Sequence, residues 1–208
     1  MRFGLKQQQQ CPIGLDLGTH QIKLVQLEQK DTNWRMAAAT SRTLPVDLPD
    51  AVPQRNDKLT SIIKEALHSS PFLHRRVVSC LPATEIQYKT VHAPQMPPEE
   101  LRRAVEWEAA DRLKLTADQY RIQLLDAGDV RQGEEVREAI IVLAATISEV
   151  DEHLDLLTRS NLDPVVIDAT PCAMARFMQN VYRDDAEEAP AQTVVDGPFV
   201  KQSAHLPQ

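Results

Sequence analysis

Two short apolar segments separated by a turn lie near the start of the chain and restrict its possible folds most strongly. Ile13–Leu17 is a short apolar run, Gly18–Gln21 has the composition of a turn, and Ile22–Glu28 alternates between apolar and polar residues. Two such runs joined by a short turn predict a β-hairpin. A weaker third run, Trp34–Thr43, predicts that the hairpin continues into a three-stranded meander.

The remaining periodicity predicts an alternation of strands and helices. Further strands are predicted at 76–81, 85–91, 120–127, 138–146 and 164–168, and helices around 59–67, 97–113, 148–161 and from 170 onward. This order of elements, β-β-β-α-β, then β-α-β-β-α, then β-α, belongs to the α/β class. Polar composition predicts loops at 44–55 and 128–137.

Side-chain patterns give finer predictions for three of these elements. The continuous apolar run Ala139–Ala145 predicts a strand covered on both faces. Ser148 and Asp151 have the spacing of a capping box with an aspartate in the acidic position. In the last helix, apolar residues fall on one face. They are Met174, Phe177, Met178 and Val181.

Composition excludes some functional classes. The chain has 208 residues and a net charge of -7, which argues against a nucleic-acid-binding protein and against adsorption to an anionic membrane through a basic patch. It has no run of about 18 apolar residues and no signal-peptide core at its start, so we expect a cytoplasmic protein. The three cysteines, Cys11, Cys80 and Cys172, are too widely spaced for a metal site and are predicted to be buried free thiols.

The turn of the predicted hairpin carries the residues best suited to bind a ligand. Asp16, at the end of an apolar strand, can hold a hydrated Mg²⁺ beside a nucleotide phosphate. Gly18 lets a backbone approach that phosphate closely, the N–H and hydroxyl of Thr19 can donate to it, and Lys23 supplies positive charge. The same residues also suit an ordinary hairpin in which the glycine makes the turn and the aspartate caps it. The chain contains neither a Walker A loop nor a GxGxxG turn.

This hairpin resembles the first phosphate loop of the actin, heat-shock-protein and sugar-kinase superfamily. The chain also resembles the PilM proteins of type IV pilus systems and their cell-division relative FtsA, over about residues 1–183. The resemblance rests on the order and spacing of seven segments. They are Phe3–Lys6, Ile13–Thr19, Ile22–Leu27, Val77–Pro82, Met96–Leu101, Ala104–Ala109 and Asn161–Asp168.

The resemblance implies a partial actin-like, or ribonuclease-H-like, fold with an inserted small β-α-β-β-α subdomain. Residues 12–82 together with 163–183 would form the first actin-like subdomain, and residues 83–162 would form the insert. Residues 1–11 would be a flexible lead-in. Residues 184–208 would be a disordered tail, since they are poor in apolar residues and begin with an acidic stretch.

The resemblance also implies a non-catalytic adaptor. PilM-like proteins hold the N-terminal cytoplasmic peptide of the membrane-anchored protein PilN in a groove between the first subdomain and the insert. Trp107 is either part of such a groove or an ordinary half-buried helix residue. The chain would then be peripheral to the inner membrane through a PilN-type partner, with other pilus assembly components as further partners and no direct insertion into the membrane.

The ligand implied for the phosphate loop is ATP with Mg²⁺. The residues that would bind it are Asp16, Gly18, Thr19 and Lys23. PilM-like chains continue into a second half with another phosphate turn and an adenosine loop, and Val194–Gly197 is here either a remnant of that turn or part of a tail. We therefore expect a truncated chain with weak or lost ATP binding. An actin-superfamily ATPase or kinase fragment, a cell-division actin homologue and an unassigned α/β domain are the alternatives.

Overall fold

The computed structural model describes residues 9–30, 33–49, 51–114, 119–133 and 135–181. The strands in these ranges are β1 (Gln9–Leu17), β2 (Gln21–Lys30), β3 (Asn33–Thr43), β4 (Arg76–Leu81), β5 (Gln87–Pro94), β6 (Tyr120–Gln132), β7 (Glu135–Thr146) and β8 (Asp163–Ala169). The helices are α1 (Val52–His68), α2 (Pro98–Leu113), α3 (Ile147–Arg159) and α4 (Thr170–Val181), and a 3-10 turn lies at Ala83–Glu85. The predicted α/β class and the predicted order of elements are confirmed.

The first sheet is mixed and has the strand order β3-β2-β1-β4-β8. β1 pairs antiparallel with β2, and β2 pairs antiparallel with β3, so the first three strands form the predicted meander. β1 pairs in parallel with β4, with Ile13 opposite Val77. Parallel strands need a crossover connection, and α1 lies in the connection that leads to β4.

Helices α1 and α3 share one apolar core with this sheet. The strands contribute Ile13, Ile22 and Val77, and the helices contribute Ile63 and Leu157. Each of these five side chains is fully buried. Because side chains alternate along a strand, the neighbours of these strand residues point to the other face of the sheet.

The second sheet has three antiparallel strands in the order β5-β7-β6. Helix α2 packs on it through Val105 and Ala109, which contact Val91 and Val142 of the strands. The predicted covering of the central apolar run is confirmed, because six of the seven residues in Ala139–Ala145 are buried and the remaining one is half-buried.

The chain divides into two compact units. The described part of the first unit lies within residues 9–80 and Glu152–Ile167. The second unit comprises Leu81–Asp151 and the described residues from Asp168 onward. The subdomain boundaries expected from the resemblance stay a prediction.

The predicted loop at 128–137 is wrong, because most of it is strand. β6 and β7 continue as a two-stranded ribbon to Gln132 and Glu135, with Asp129 opposite Glu138. Its residues are mainly polar, and backbone pairing does not depend on apolar side chains, so apolar periodicity does not reveal the ribbon. Gly128, with a φ of 86°, lies where the register between the two strands shifts.

Both the loop at 44–55 and the lead-in are shorter than predicted. Helix α1 begins at Val52, and Pro53 lies in its first turn, where the missing N–H costs nothing. β1 begins at Gln9 rather than at Ile13. The rest of the predicted lead-in, the predicted tail and Val194–Gly197 lie outside the described residues.

The capping box predicted from Ser148 and Asp151 is wrong. The structure has one two residues earlier, where the backbone N–H of Glu149 donates to the hydroxyl of Thr146 at 3.1 Å and the Thr146 N–H donates to the Glu149 carboxylate at 2.9 Å. Both pairs have an acidic residue three positions after a hydroxyl residue, so the sequence pattern alone does not choose between them.

Several apolar side chains are more exposed than predicted. Trp107 is 76% exposed, so the expectation of a half-buried tryptophan is wrong. On α4, three residues of the predicted apolar face, Met174, Phe177 and Met178, are exposed. Among the cysteines only Cys172 is buried, and burial raises the pKa of its thiol, while the other two are half-buried. None of the helices in the described part of the chain has the length and apolar character needed to cross a membrane.

Candidate functional site

The candidate site is the turn between β1 and β2. The antiparallel register pairs Leu17 with Ile22 and Asp16 with Lys23. Ile22 is fully buried, so the adjacent Lys23 lies on the other face of the hairpin, beside its cross-strand partner Asp16. The predicted hairpin therefore brings these two residues of the candidate site together.

Asp16 and Lys23 form an ion pair. The Nζ atom of Lys23 lies 3.1 Å from Oδ2 of Asp16. The side chains are 61% and 53% exposed, so water screens their attraction, and such a pair contributes about 0–1 kcal/mol to stability. Each of the two charged groups that would meet a Mg²⁺–phosphate ligand thus has its counterion within the chain.

Gly18 is required by the turn itself. Its backbone N–H donates to the carbonyl oxygen of Gln21 at 3.1 Å, which closes the turn. A Cβ added at this position would lie 2.9 Å from the same carbonyl oxygen, closer than side chains normally approach backbone. The approach of this backbone to a phosphate stays a prediction, and in this structure Gly18 lies close to the backbone of the turn itself.

Thr19 is at the exposed tip of the turn. Its hydroxyl shares a hydrogen bond of 2.8 Å with Nδ1 of His20. The sequence interpretation gave His20 no role, and a histidine next to a turn threonine gives no pattern that would have indicated one. The carbonyl of His20 also accepts a hydrogen bond from the backbone N–H of Leu44, which links the turn to the residue after β3.

The groups of the turn that would meet a nucleotide phosphate contact one another or their neighbours in this structure. Three groups that would donate to a phosphate are the Gly18 amide, the Thr19 hydroxyl and the Lys23 ammonium. Each already has a hydrogen-bond or ion-pair partner inside the turn or hairpin. An incoming phosphate would have to displace these contacts, whereas a preformed anion site presents its donors to the ligand.

The buried polar groups that sequence reasoning missed include two pairs. In the first unit, Nε2 of His153 lies 3.0 Å from the hydroxyl of Ser79. In the second unit, the buried carboxylate of Asp168 pairs with Arg176 of α4. An aspartate at the end of the apolar strand β8 is the signal that could have indicated the second pair, because buried carboxylates need partners.

Comparison with known families gives one match over most of the chain. The sequence profile of a family described as type IV pilus assembly protein PilM matches residues 14–196. No curated protein sequence matches the chain.

Many solved structures match this chain, and they include the following two. One is the PilM-PilN type IV pilus biogenesis complex, with 26% identity and a TM-score of 0.68, in which the match covers 84% of this chain and 52% of the other. The other is the cytoplasmic domain of EpsL, an inner-membrane component of the type II secretion system of Vibrio cholerae, with 15% identity and a TM-score of 0.48, covering 77% of this chain and 58% of that one. This chain therefore spans about half the length of the PilM protein that it matches.

Proposed function

The chain belongs to the PilM family of type IV pilus assembly proteins, and on this premise we propose that it acts as an adaptor in pilus biogenesis. In this role it binds the N-terminal cytoplasmic peptide of a PilN-type inner-membrane protein. It is then held at the cytoplasmic face of the inner membrane through that partner.

The observation that carries this proposal is the similarity to a PilM protein solved as a complex with PilN. The match includes 84% of this chain, so most of the described fold has a counterpart in a protein that forms such a complex. Because the chain spans about half of that PilM, the proposal concerns peptide capture by this part alone.

A degenerate nucleotide site is a further part of the proposal. The contacts of Asp16, Thr19 and Lys23 with neighbouring residues support it, since they occupy the groups that would meet Mg²⁺–ATP. We therefore expect peptide binding to be independent of nucleotide, and ATP to bind weakly or not at all.

Isothermal titration of the purified chain with the N-terminal peptide of a PilN-type protein tests the adaptor role. Saturable binding with the same affinity in the presence and absence of Mg²⁺–ATP is the expected result. A peptide of the same composition in scrambled order is the control and should give only heats of dilution.

The result that would overturn the proposal is no saturable binding in a sample that circular dichroism shows to be folded. A dependence of binding on Mg²⁺–ATP would leave the adaptor role intact. It would instead contradict the degenerate nucleotide site.

A further inference from the structure

We propose that the ion pair between Asp168 and Arg176 is an orientation lock, which fixes the rotation of helix α4 about its own axis and keeps the apolar face of that helix outward. The pair joins the end of β8 to the second turn of the helix that follows it. Orientation of α4 by this pair is independent of the proposed adaptor role.

Helix α4 is oriented against its own amphipathic pattern. Met174, Phe177 and Met178 are exposed, whereas Cys172 is buried and the Arg176 side chain is about one-third exposed. At about 100° per residue, the three apolar residues are centred roughly half a turn away from Cys172 and Arg176. An amphipathic helix normally packs its apolar stripe inward, so the hydrophobic effect alone favours the opposite rotation.

The carboxylate of Asp168 opposes that rotation. It is almost fully buried, and Arg176 is its cation. If α4 rolled by half a turn, the guanidinium would move away and the carboxylate would stay buried without this cation. An unpaired buried charge is strongly destabilising, so the ion pair penalises the rotation that would bury the apolar face.

The positions of the two residues suit a clasp across the junction between β8 and α4. Asp168 lies shortly before the first helical residue, Thr170, and Arg176 lies nearly two turns along the helix. Helical side chains tilt toward the helix N-terminus, so the long arginine side chain reaches back over the first turn. The Thr170 hydroxyl donates to the carbonyl oxygen of Leu81 at 3.5 Å. This contact anchors the helix at its first residue, and the ion pair anchors it again further along.

Cys172 and the two exposed methionines report the rotation in opposite senses. Burial shields the thiol of Cys172 and raises its pKa, whereas Met174 and Met178 are open to oxidation. One measured rate is the labelling of Cys172 by N-ethylmaleimide, and the other is the oxidation of both methionines by hydrogen peroxide. Mass spectrometry of peptides from the full chain assigns each rate to its residue and separates Cys172 from Cys11 and Cys80.

Asp168→Asn combined with Arg176→Leu removes the pair without leaving a buried charge. We expect labelling of Cys172 to accelerate by on the order of five- to tenfold, because labelling requires an accessible thiolate. Oxidation of Met174 and Met178 should slow by on the order of three- to fivefold as these side chains become buried. Arg176→Lys is the control that retains the cation, and both rates should stay within about twofold of those of the unmodified chain.

Two results would overturn the orientation lock. If Cys172 and both methionines all react faster in the double variant, the pair only tethers α4, and the helix detaches when the pair is removed. If neither rate changes, other contacts set the rotation of α4. Should circular dichroism show the double variant to be unfolded, the rates are measured in Asp168→Asn alone. The same opposite changes, each smaller, are expected there, and their absence would equally overturn the lock.

Discussion

The Nε2 atom of His153 on α3 lies 3.0 Å from the hydroxyl oxygen of Ser79 on β4, inside the first compact unit. Both residues are buried, and the Ser79 hydroxyl also reaches the carbonyl oxygen of Leu15 on β1 at 3.4 Å. In this arrangement the neutral imidazole donates to Ser79, and Ser79 donates to Leu15. A helix and two neighbouring strands are thereby linked through one buried polar chain.

The stability of the fold should fall with acid because of His153. Burial lowers the pKa of His153 from 6.5 to about 4. Between these two values the unfolded chain binds a proton at this residue and the folded chain does not, so stability falls as the pH falls from 6.5 to about 4. We expect the loss of unfolding free energy due to this group to reach about 2–3 kcal/mol at pH 4.5. Urea unfolding across the pH range measures it.

His153→Gln is the matched variant for this effect, since it retains a donor and does not titrate. It should be less stable than the unmodified chain at pH 8 and should lose less stability between pH 7 and pH 4.5. Equal slopes of unfolding free energy against pH for the two proteins would contradict a protonation-linked role for His153.

Substitution of Gly18 should destabilise the hairpin, whereas substitution of a second glycine in the same strand pair should not. An alanine at Gly18 places its Cβ 2.9 Å from the Gln21 carbonyl oxygen, so the turn must shift, at a cost of about 1–3 kcal/mol. An alanine at Gly14 meets only Val25 Cγ1 at 3.5 Å and the Val25 carbonyl at 3.8 Å, which is ordinary contact. We expect Gly14→Ala to change the unfolding free energy by less than about 0.5 kcal/mol.

Thermal unfolding of the two alanine variants measures this difference. If both variants unfold at the temperature of the unmodified chain, the turn has room for a side chain at Gly18, and the close approach to Gln21 does not constrain the residue there.

The capping box at the start of α3 should contribute measurable stability. Thr146→Ala removes the acceptor of the Glu149 N–H, and we expect a loss of about 0.5–2 kcal/mol in unfolding free energy. Asp151→Asn tests the pattern suggested by the sequence, and its effect should stay within about 0.5 kcal/mol. A larger loss for Asp151→Asn than for Thr146→Ala in chemical denaturation would contradict the Thr146–Glu149 cap. It would indicate that Ser148 and Asp151 form the cap instead.

The ion pair between Asp168 and Arg176 should show a strong asymmetry between single and double substitution. Arg176→Ala leaves the carboxylate of Asp168, which is 2% exposed, without its cation. We expect a cost of about 2–4 kcal/mol, reduced from that of a fully buried pair because Arg176 is about one-third exposed.

Asp168→Asn combined with Arg176→Met should be less damaging than Arg176→Ala alone. The amide oxygen of the asparagine can still accept from the backbone N–H of Ala169, which donates to Asp168 at 2.7 Å. The double variant could instead be less stable than Arg176→Ala in urea unfolding. The destabilisation by Arg176→Ala would then arise from lost packing of the arginine and not from an unpaired buried charge.

Local sequence patterns predicted most of the secondary structure because they record which side chains face the core. The alternation in β2 predicted a strand, and its even-numbered residues Ile22 and Leu24 are buried in the core. The same reasoning failed for the β6–β7 ribbon, where Asp129 to Gln132 pair through the backbone and include a single apolar residue, Val130, which is exposed. It also predicted the apolar face of α4 without revealing that Phe177 is 64% exposed.

For the candidate site, the sequence by itself determined which residues meet. A glycine turn between two alternating strands fixes the register, and the register makes Asp16 and Lys23 partners. Only the tertiary structure decided what these groups contact, because hydrogen bonds such as that between Thr19 and His20 leave no trace in periodicity. The same holds for His153 and Ser79, which are far apart along the chain and become partners only when α3 packs beside β4. Periodicity reports the burial of each element, whereas the partner of a polar group depends on how the elements pack.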